Sequence, residues 1–373
     1  MGLKQVKSKT QKCDIWAYDL GDILQYDPLI SIIYGKRSNG KSFAGLELIL
    51  KDYLENNNRG VWVRRLMDTF KDSKVKMQFD PVIEEGILNK YNFDGVEYRK
   101  GDYYLYRYDE DLDKRIYEDN PFCYCTGVSG AESHKGGSYE NVHYVVFDEF
   151  LSRNNIYLPD EPVLFANLMS TIVRYQDKAR FILLANTVNK DSDYFDAFGI
   201  DVSEIPPGAI QPFYNAEGQC LCVEYVVQKE GVVNKSDKYF SFFKSGRVKM
   251  ITEGTWEMAD YPRKPCDFYP TDVRFTCFIL WKTSFIKCEY VVKDNMQFVY
   301  FSLTDKAIDD NEEIIFSPEL DARKNWMQNI FDSDLDFLKS AMRKNKMYYA
   351  DDVTGEIIRN YLIYCRSYSI IKA

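Results

Sequence analysis

The sequence has no run of about 18 apolar residues, and this absence excludes a transmembrane helix. It is also poor in histidine: His134 and His143 are the only two, and they form no catalytic triad or metal pair with the cysteines. Basic residues are not in excess, because 48 Lys and Arg stand against 57 Asp and Glu, for a net charge of −9. This balance argues against a protein that coats nucleic acid with a broadly basic surface. We find no internal repeat and no low-complexity tract.

The composition that is present is typical of a globular protein. Hydrophobic residues make up 45% and charged residues 28% of 373 residues, which excludes disorder, collagen and coiled coil as the main architecture and fits two domains. The first residues contain no apolar core segment, so we expect no secretory signal. Nine cysteines then indicate reduced thiols in a cytosol. Cys123 with Cys125, and Cys220 with Cys222, are each one residue apart rather than two, which favours half-buried thiols over zinc ligands.

Three segments differ in character along the chain. Residues 1–204 alternate strand and helix patterns, which predicts an α/β domain with a mostly parallel sheet. Residues 205–226 contain a cluster of Pro and Gly that predicts a linker. Residues 227–373 carry strands followed by helices, which predicts a smaller α+β domain.

Hydrophobic periodicity gives the elements of the two domains. In the first domain, strands are predicted at residues 29–34, 61–66, 142–147 and 181–185, with shorter ones at 103–108 and 122–124. Helices are predicted from residue 42 to the Asn-rich stop at 56–58, and near 162–175. In the second domain, an antiparallel meander is predicted at 275–281, 285–292 and 298–303, and helices at 325–344 and 354–367.

A glycine-rich loop follows the first buried strand and matches the pattern G-x-x-x-x-G-K-[ST] at every fixed position. Backbone N–H groups of such a loop wrap phosphates, the lysine reaches the β- and γ-phosphate oxygens, and the last hydroxyl binds Mg²⁺. The following helix adds the positive end of its dipole. The motif therefore predicts ATP binding with Mg²⁺ by the loop residues Gly35, Lys36, Arg37, Ser38, Asn39, Gly40, Lys41 and Ser42.

Two carboxylates end the apolar strand at residues 142–147. Asp148 is predicted to hold Mg²⁺ together with Ser42, and Glu149 to polarise the attacking water, because phosphoryl transfer needs an oriented nucleophile. Such an adjacent pair is typical of hydrolysing ATPases. Asn186 ends the next strand, where its amide could sense the γ-phosphate or the attacking water. The alternative is a turn-forming Asn that caps the strand. This arrangement predicts a strand inserted between the P-loop strand and the acidic strand, as in the additional-strand, catalytic-glutamate branch of P-loop ATPases.

Two cations are candidates for action between subunits. Arg174 stands near the end of the helix near 162–175 and precedes the Asn186 strand, so we expect it at the active-site edge of the sheet. There it could act as an arginine finger that reaches the nucleotide of a neighbouring subunit. The alternative is a cation that interacts with the helix dipole. Lys135 lies in a Gly- and Ser-rich segment and could contact a DNA phosphate or a neighbour's ATP, or be a solvated loop lysine.

Together these residues resemble the DNA-packaging ATPases of small podophages, of the Picovirinae type. The resemblance rests on IYGKRSNGKS, VWVRRL, YVVFDEF, and NLMSTIVR followed by FILLAN, and it covers the first 200 residues well. It implies the catalytic roles of Lys41 and Glu149, metal binding by Asp148, and trans action by Arg174, with Lys135 as a second candidate. It also implies a homo-oligomeric ring, a pentamer at the portal vertex, which drives double-stranded DNA into an empty prohead.

The resemblance extends to partners, location and the second domain. Portal protein and prohead are implied as partners, a packaging RNA is left open, and the expected place is the host cytoplasm, transiently on the prohead. The second domain looks like an RNase H-type nuclease that has lost its metal-binding acids. Of its strand residues, only Glu289 suggests a remaining carboxylate, whereas a two-metal nuclease needs several that converge.

Two other classes of function remain open from sequence. One is a different ring ATPase of the same branch, a helicase or a filamentous-phage assembly ATPase. The other is a non-catalytic, nucleotide-dependent scaffold. An intact Glu149 speaks against the scaffold.

Overall fold

The chain forms two compact units in a computed structural model. They comprise Met1–Trp256 and Glu257–Ala373. The structure describes residues 18–37, 39–130, 139–152, 157–174, 176–187, 190–227, 242, 261–305, 313–318 and 325–372. In this part of the chain, no helix combines the length and apolar character needed to cross a membrane.

The first unit alternates strands with helices. Its helices are α1 (Gly21–Leu24), α2 (Lys41–Asn56), α3 (Asp80–Glu84), α4 (Glu161–Val173) and α5 (Asp193–Phe198). Its strands are β1 (Ile30–Gly35), β2 (Arg59–Arg64), β3 (Gly95–Arg99), β4 (Asp102–Asp109), β5 (Lys114–Tyr117), β6 (Cys123–Gly127), β7 (Val142–Asp148), β8 (Arg180–Asn186), β9 (Ile210–Tyr214) and β10 (Cys220–Val226).

All ten strands form one mixed, mostly parallel sheet. Its order is β3-β4-β6-β2-β7-β8-β1-β10-β9, with β5 paired to β4. The central strands from β6 to β10 run parallel to one another, and the antiparallel strands lie at the two sides. Strand β8 lies between the P-loop strand β1 and the acidic strand β7. The predicted α/β class and the inserted strand are therefore confirmed.

Apolar cores cover both faces of this sheet, as near-continuous apolar parallel strands require. Along β7, Val145 and Phe147 pack on the face with Phe165 of α4, and Val146 packs on the opposite face with Leu46 of α2. Helices α2 and α4 therefore lie on opposite sides of the sheet. The sheet is therefore packed on both faces, and the sequence motifs lie at the ends of its buried strands.

The predicted linker at residues 205–226 is wrong, because this segment contains two strands of the first sheet. Strand β10 pairs in parallel with β1, from Ile30 opposite Leu221 to Gly35 opposite Val226. Strand β9 then adds as an antiparallel edge, and it accommodates Pro212 at the edge of the sheet, where a missing N–H costs least. The Pro and Gly residues mark the turns around β9, and the first unit continues past them.

The second unit is an α+β fold around a six-stranded sheet. Its strands are β11 (Val273–Trp281), β12 (Ser284–Lys293), β13 (Met296–Leu303), β14 (Ile315–Phe316), β15 (Trp326–Met327) and β16 (Met347–Tyr349), and its helices are α6 (Asp336–Arg343) and α7 (Asp352–Lys372). The order is β15-β14-β11-β12-β13-β16. The predicted meander β11–β13 is antiparallel, β14 and β15 add in parallel beyond β11, and β16 adds in parallel beyond β13.

The predicted helix at residues 325–344 is only half right. Trp326 and Met327 form β15, which pairs with β14, and the side chain of Asn329 caps a short turn by accepting a hydrogen bond from the Phe331 amide. Long-range pairing and the cap therefore override helix propensity until α6 begins at Asp336. The predicted helix at 354–367 is confirmed within α7.

Candidate functional site

The carboxyl ends of three adjacent strands bring most of the predicted site residues to one edge of the first sheet. Gly35 at the end of β1 lies opposite Asn186 at the end of β8. Asp148 at the end of β7 lies opposite Leu184, two residues before Asn186. Because parallel strands end together, the P-loop, the acidic pair and Asn186 share the edge where α/β folds bind ligands.

The P-loop has the geometry of a phosphate cradle. Gly40 has φ of 88°, in the left-handed region that favours glycine, and it precedes the first turn of α2. The Lys41 ammonium donates to the carbonyl of Lys36 at 2.9 Å, to Asn39 Oδ1 at 3.0 Å and to the carbonyl of Gly35 at 3.4 Å. The Asn39 Nδ2 is buried without a hydrogen-bond partner in the described part of the chain. A phosphate oxygen is a suitable acceptor for it. Ser38 lies outside the described residues.

Gly35 has a second role that the motif does not reveal. A Cβ at this position would lie 2.2 Å from the carbonyl oxygen of Val226 in β10. The absence of a side chain therefore allows β10 to pair alongside the start of the P-loop.

Burial changes the ionisation of Lys41. Removal from water lowers the pKa of Lys41 to about 7, Asp148 opposes this shift, and the positive charge of Arg37 adds to it. A partly neutral lysine at the P-loop would regain its full charge beside phosphate.

Ser42 and Asp148 form a group of oxygen ligands suited to Mg²⁺. The Ser42 hydroxyl donates to Asp148 Oδ1 at 2.9 Å across the two motifs. Burial raises the pKa of Asp148, while Arg64 and the Ser42 hydrogen bond act in the opposite direction. A hydroxyl beside a carboxylate is the donor set that Mg²⁺ takes in nucleotide sites, so the residues present fit the ion.

Arg64, at the end of β2, is a site residue that the sequence analysis missed. Its Nη2 lies 3.0 Å from Asp148 Oδ2, and its Nη1 lies 3.0 Å from Glu149 Oε2. One guanidinium thus bridges the predicted metal ligand and the predicted base. The Glu149 side chain is otherwise open, with 69% of its surface exposed. The arginine pair in VWVRRL, at the end of a predicted parallel strand, was the available signal.

Arg174 does not lie at the active-site edge, contrary to the expectation from sequence. Helix α4 connects the carboxyl end of β7 to the amino end of β8, so it runs antiparallel to both strands. Two residues after Arg174, Gln176 accepts a hydrogen bond from the amide of Val142, at the start of β7. Arg174 is exposed and lies at the edge opposite Asp148. Lys135 lies outside the described residues.

The second unit offers no comparable cluster in its described part. Glu289 of β12 is paired with Lys287 at 2.5 Å. Across all described residues of the chain, no group of three or more His, Cys, Asp and Glu side chains could hold a metal ion. The predicted loss of nuclease activity stays a prediction.

Comparison with known proteins places the first unit in a family context. A family model described as Podovirus DNA encapsidation protein (Gp16) matches residues 14–206. The DNA packaging protein of Bacillus phage phi29 is 27% identical over 186 residues, 49% of this chain and 50% of that protein. The DNA packaging protein of Bacillus phage B103 is 26% identical over 180 residues, 48% of this chain and 50% of that protein. The chain thus spans about half the length of these curated relatives.

The similarity in fold covers nearly the whole chain. A solved chain described as the bacteriophage Phi-29 viral genome packaging motor assembly has a TM-score of 0.55 and 18% identity, and the match covers 96% of this chain and 99% of that one. At this identity the match concerns the fold.

Proposed function

The chain belongs to the podovirus DNA encapsidation protein family, and on that premise we propose that it hydrolyses ATP to drive double-stranded viral DNA into a prohead. The observation that carries the proposal is the Ser42–Asp148 contact at the edge that also holds Lys41 and Glu149. A helicase or a filamentous-phage assembly ATPase of the same branch would share this edge. The family match favours packaging over both.

The roles of the P-loop residues follow from their donors. The loop amides, the Asn39 amide and the Lys41 ammonium bind the phosphates, and Ser42 with Asp148 would hold Mg²⁺. The ion, when bound, neutralises charge on the β- and γ-phosphate oxygens. Loss of the Lys41 ammonium should therefore reduce nucleotide affinity.

Glu149 is the proposed base that orients the attacking water. Its carboxylate is bound to Arg64, and the same guanidinium holds Asp148. Asn186, which lies opposite Gly35, is the proposed contact for the γ-phosphate or that water.

Arg174 is proposed to act on a neighbouring subunit. Its position at the opposite edge of the sheet separates it from the phosphates of its own subunit. Arg174 would therefore add its charge to the site of a second copy, which is consistent with a homo-oligomeric ring. The proposal further includes a pentamer at the portal, Lys135 as a second candidate cation acting in trans, and action in the host cytoplasm, transiently on the prohead. The use of a packaging RNA is left open.

The dependence of ATP hydrolysis on proheads and DNA distinguishes DNA packaging from the alternative functions. We expect ATP turnover by the full chain to rise when proheads with portal and double-stranded DNA are added together. Turnover that responds to DNA alone and is unaffected by proheads would instead indicate a helicase. Free DNA should bind weakly and with strong salt dependence, because the chain is acidic overall.

Proton uptake on ATP binding tests the state of Lys41. Without nucleotide, a pKa of about 7 leaves most of Lys41 neutral at pH 8, and phosphate should return it to the charged form. We expect the parent to take up about one more proton than Lys41→Arg at pH 8, since arginine stays charged, and the difference to vanish at pH 5.5. Titration calorimetry in buffers of different ionisation enthalpy measures this difference. Equal uptake by both proteins at pH 8 would contradict the assignment.

A further inference from the structure

A buried ion pair lies behind the loop that carries Glu149. Arg65 directly follows β2, and Glu161 is the first residue of α4. The Arg65 Nε donates to both carboxylate oxygens of Glu161, at 2.9 and 2.8 Å, and the Glu161 side chain is 0% exposed. We propose that Arg65 and Glu161 are positioning residues that fix the backbone of Glu149 for catalysis, an inference that rests on the proposed function.

The remaining N–H groups of Arg65 bind the backbone of the acidic loop. Nη1 donates to the carbonyl of Glu149 at 3.4 Å, and Nη2 donates to the carbonyl of Phe150. Glu149 has φ of 60°, in the left-handed region that side chains with a Cβ rarely adopt. Such a conformation persists only where its surroundings impose it. Here the two hydrogen bonds from Arg65, to the carbonyls of Glu149 and Phe150, hold the Glu149 backbone in this conformation.

Glu161 in turn holds Arg65 in one orientation. The Tyr194 hydroxyl donates to Glu161 Oε1 at 3.0 Å, and the Leu158 amide donates to Oε2 at 2.8 Å. A carboxylate out of water needs every one of these partners, since an unpaired buried charge is strongly unfavourable. The guanidinium therefore cannot turn away from the acidic loop without removing the counter-charge of the buried Glu161.

The same network reaches the elements on either side of the acidic strand. Tyr194 belongs to α5, which follows the Asn186 strand, and Glu161 begins α4, where the helix dipole favours a negative charge. The Arg65 guanidinium lies 5.1 Å from the ring centre of Tyr157, whose hydroxyl contacts Ser192 Oγ at 2.9 Å. The acidic loop, α4 and α5 are thus anchored to one buried pair.

The two consecutive arginines therefore act on different parts of Glu149. Arg64 binds its carboxylate, and Arg65 binds its backbone carbonyl. Changing Arg65 should misorient Glu149 while the P-loop contacts with nucleotide remain. The expected signature is a fall in kcat with little change in KM for ATP.

Replacement of Arg65 with lysine tests the positioning role, because lysine keeps the charge beside Glu161 and loses the planar fork. We expect kcat of the full chain with Mg²⁺ and ATP to fall about 10²-fold, the loss typical of a misplaced catalytic group, with KM within about 2-fold. Glu161→Gln should reduce kcat in the same direction. The matched control is Arg115→Lys, which alters the exposed Arg115–Glu97 pair and should leave kcat unchanged.

A double replacement distinguishes a loss of Glu149 positioning from a loss of folding stability. Arg65→Met with Glu161→Leu removes both charges, so no unpaired buried charge remains and the thermal midpoint should stay close to that of the parent. We expect kcat to remain about 10²-fold low, because nothing then holds the two carbonyls. Parental kcat in the double variant or in Arg65→Lys would overturn the positioning role alone. Absence of ATP turnover by the parent itself would overturn the proposed function and this inference with it.

Discussion

Replacing Glu149 with glutamine should leave ATP bound and stop its hydrolysis. The amide keeps the shape of the side chain but cannot accept a proton from water, and loss of a general base costs ~10²–10⁴-fold in rate. The P-loop, with Lys41 and the Ser42–Asp148 contact, is unchanged by this substitution. Steady-state turnover and the affinity for a fluorescent ATP analogue measure the two effects separately.

The matched control for Glu149→Gln is Lys41→Ala. This variant should lose nucleotide affinity, because it removes the ammonium that lies among the loop carbonyls. The two variants then fail for opposite reasons, one with ATP bound and one without. Turnover near the parental rate in Glu149→Gln would remove Glu149 as the base.

Arg174→Ala should also keep ATP affinity and lose turnover, by ~10³-fold or more as is typical of arginine fingers. The loss should arise between subunits, because Arg174 lies at the edge of the sheet opposite Asp148. Arg343→Ala, at the end of helix α6 in the second unit, is a suitable control for the loss of an exposed arginine. ATP affinity and turnover of both variants give the comparison.

Mixing two inactive variants distinguishes action in trans from action in cis. Arg174→Ala subunits retain Glu149, and Glu149→Gln subunits retain Arg174. In mixed rings, some interfaces combine an intact base with an intact arginine, so turnover should partly recover. No recovery at any mixing ratio would show that Arg174 does not complete a neighbour's site.

Local patterns predicted the parts of the site that are close in sequence. The buried strand, the glycine-rich loop and the start of α2 are contiguous in sequence, so the residues proposed to bind phosphate all lie within 35–42. The carboxylates of Asp148 and Glu149 were identifiable because they end an apolar strand. The inserted strand followed from the polar residue at the end of β8, and the sheet order confirms it.

Features that depend on long-range pairing were missed. Arg64 meets Asp148 only because β2 and β7 are neighbours in register, 84 positions apart in sequence (148 − 64). The Arg65–Glu161 pair likewise joins residues that no local pattern connects. Residues 205–226 looked like a linker because proline and glycine mark turns, but an edge strand tolerates proline, and β10 completes the sheet.

The position of Arg174 shows a different kind of error. The helix and its end were predicted correctly, and the wrong edge of the sheet was assigned to it. A helix that joins two parallel strands must run back across the sheet, so its last residue lies at the amino ends of the strands. This topology places Arg174 away from the P-loop of its own chain, and the trans role stays a proposal that the mixing experiment tests.

Entry of double-stranded DNA into purified proheads is the most direct test of the central claim. The full chain, Mg²⁺ and ATP are added to proheads with portal, and DNA protected from nuclease is measured. We expect protection that requires ATP and is absent with Glu149→Gln, although that variant still binds ATP. Parental chain that hydrolyses ATP in the presence of proheads but leaves the DNA fully digestible would contradict the proposed function.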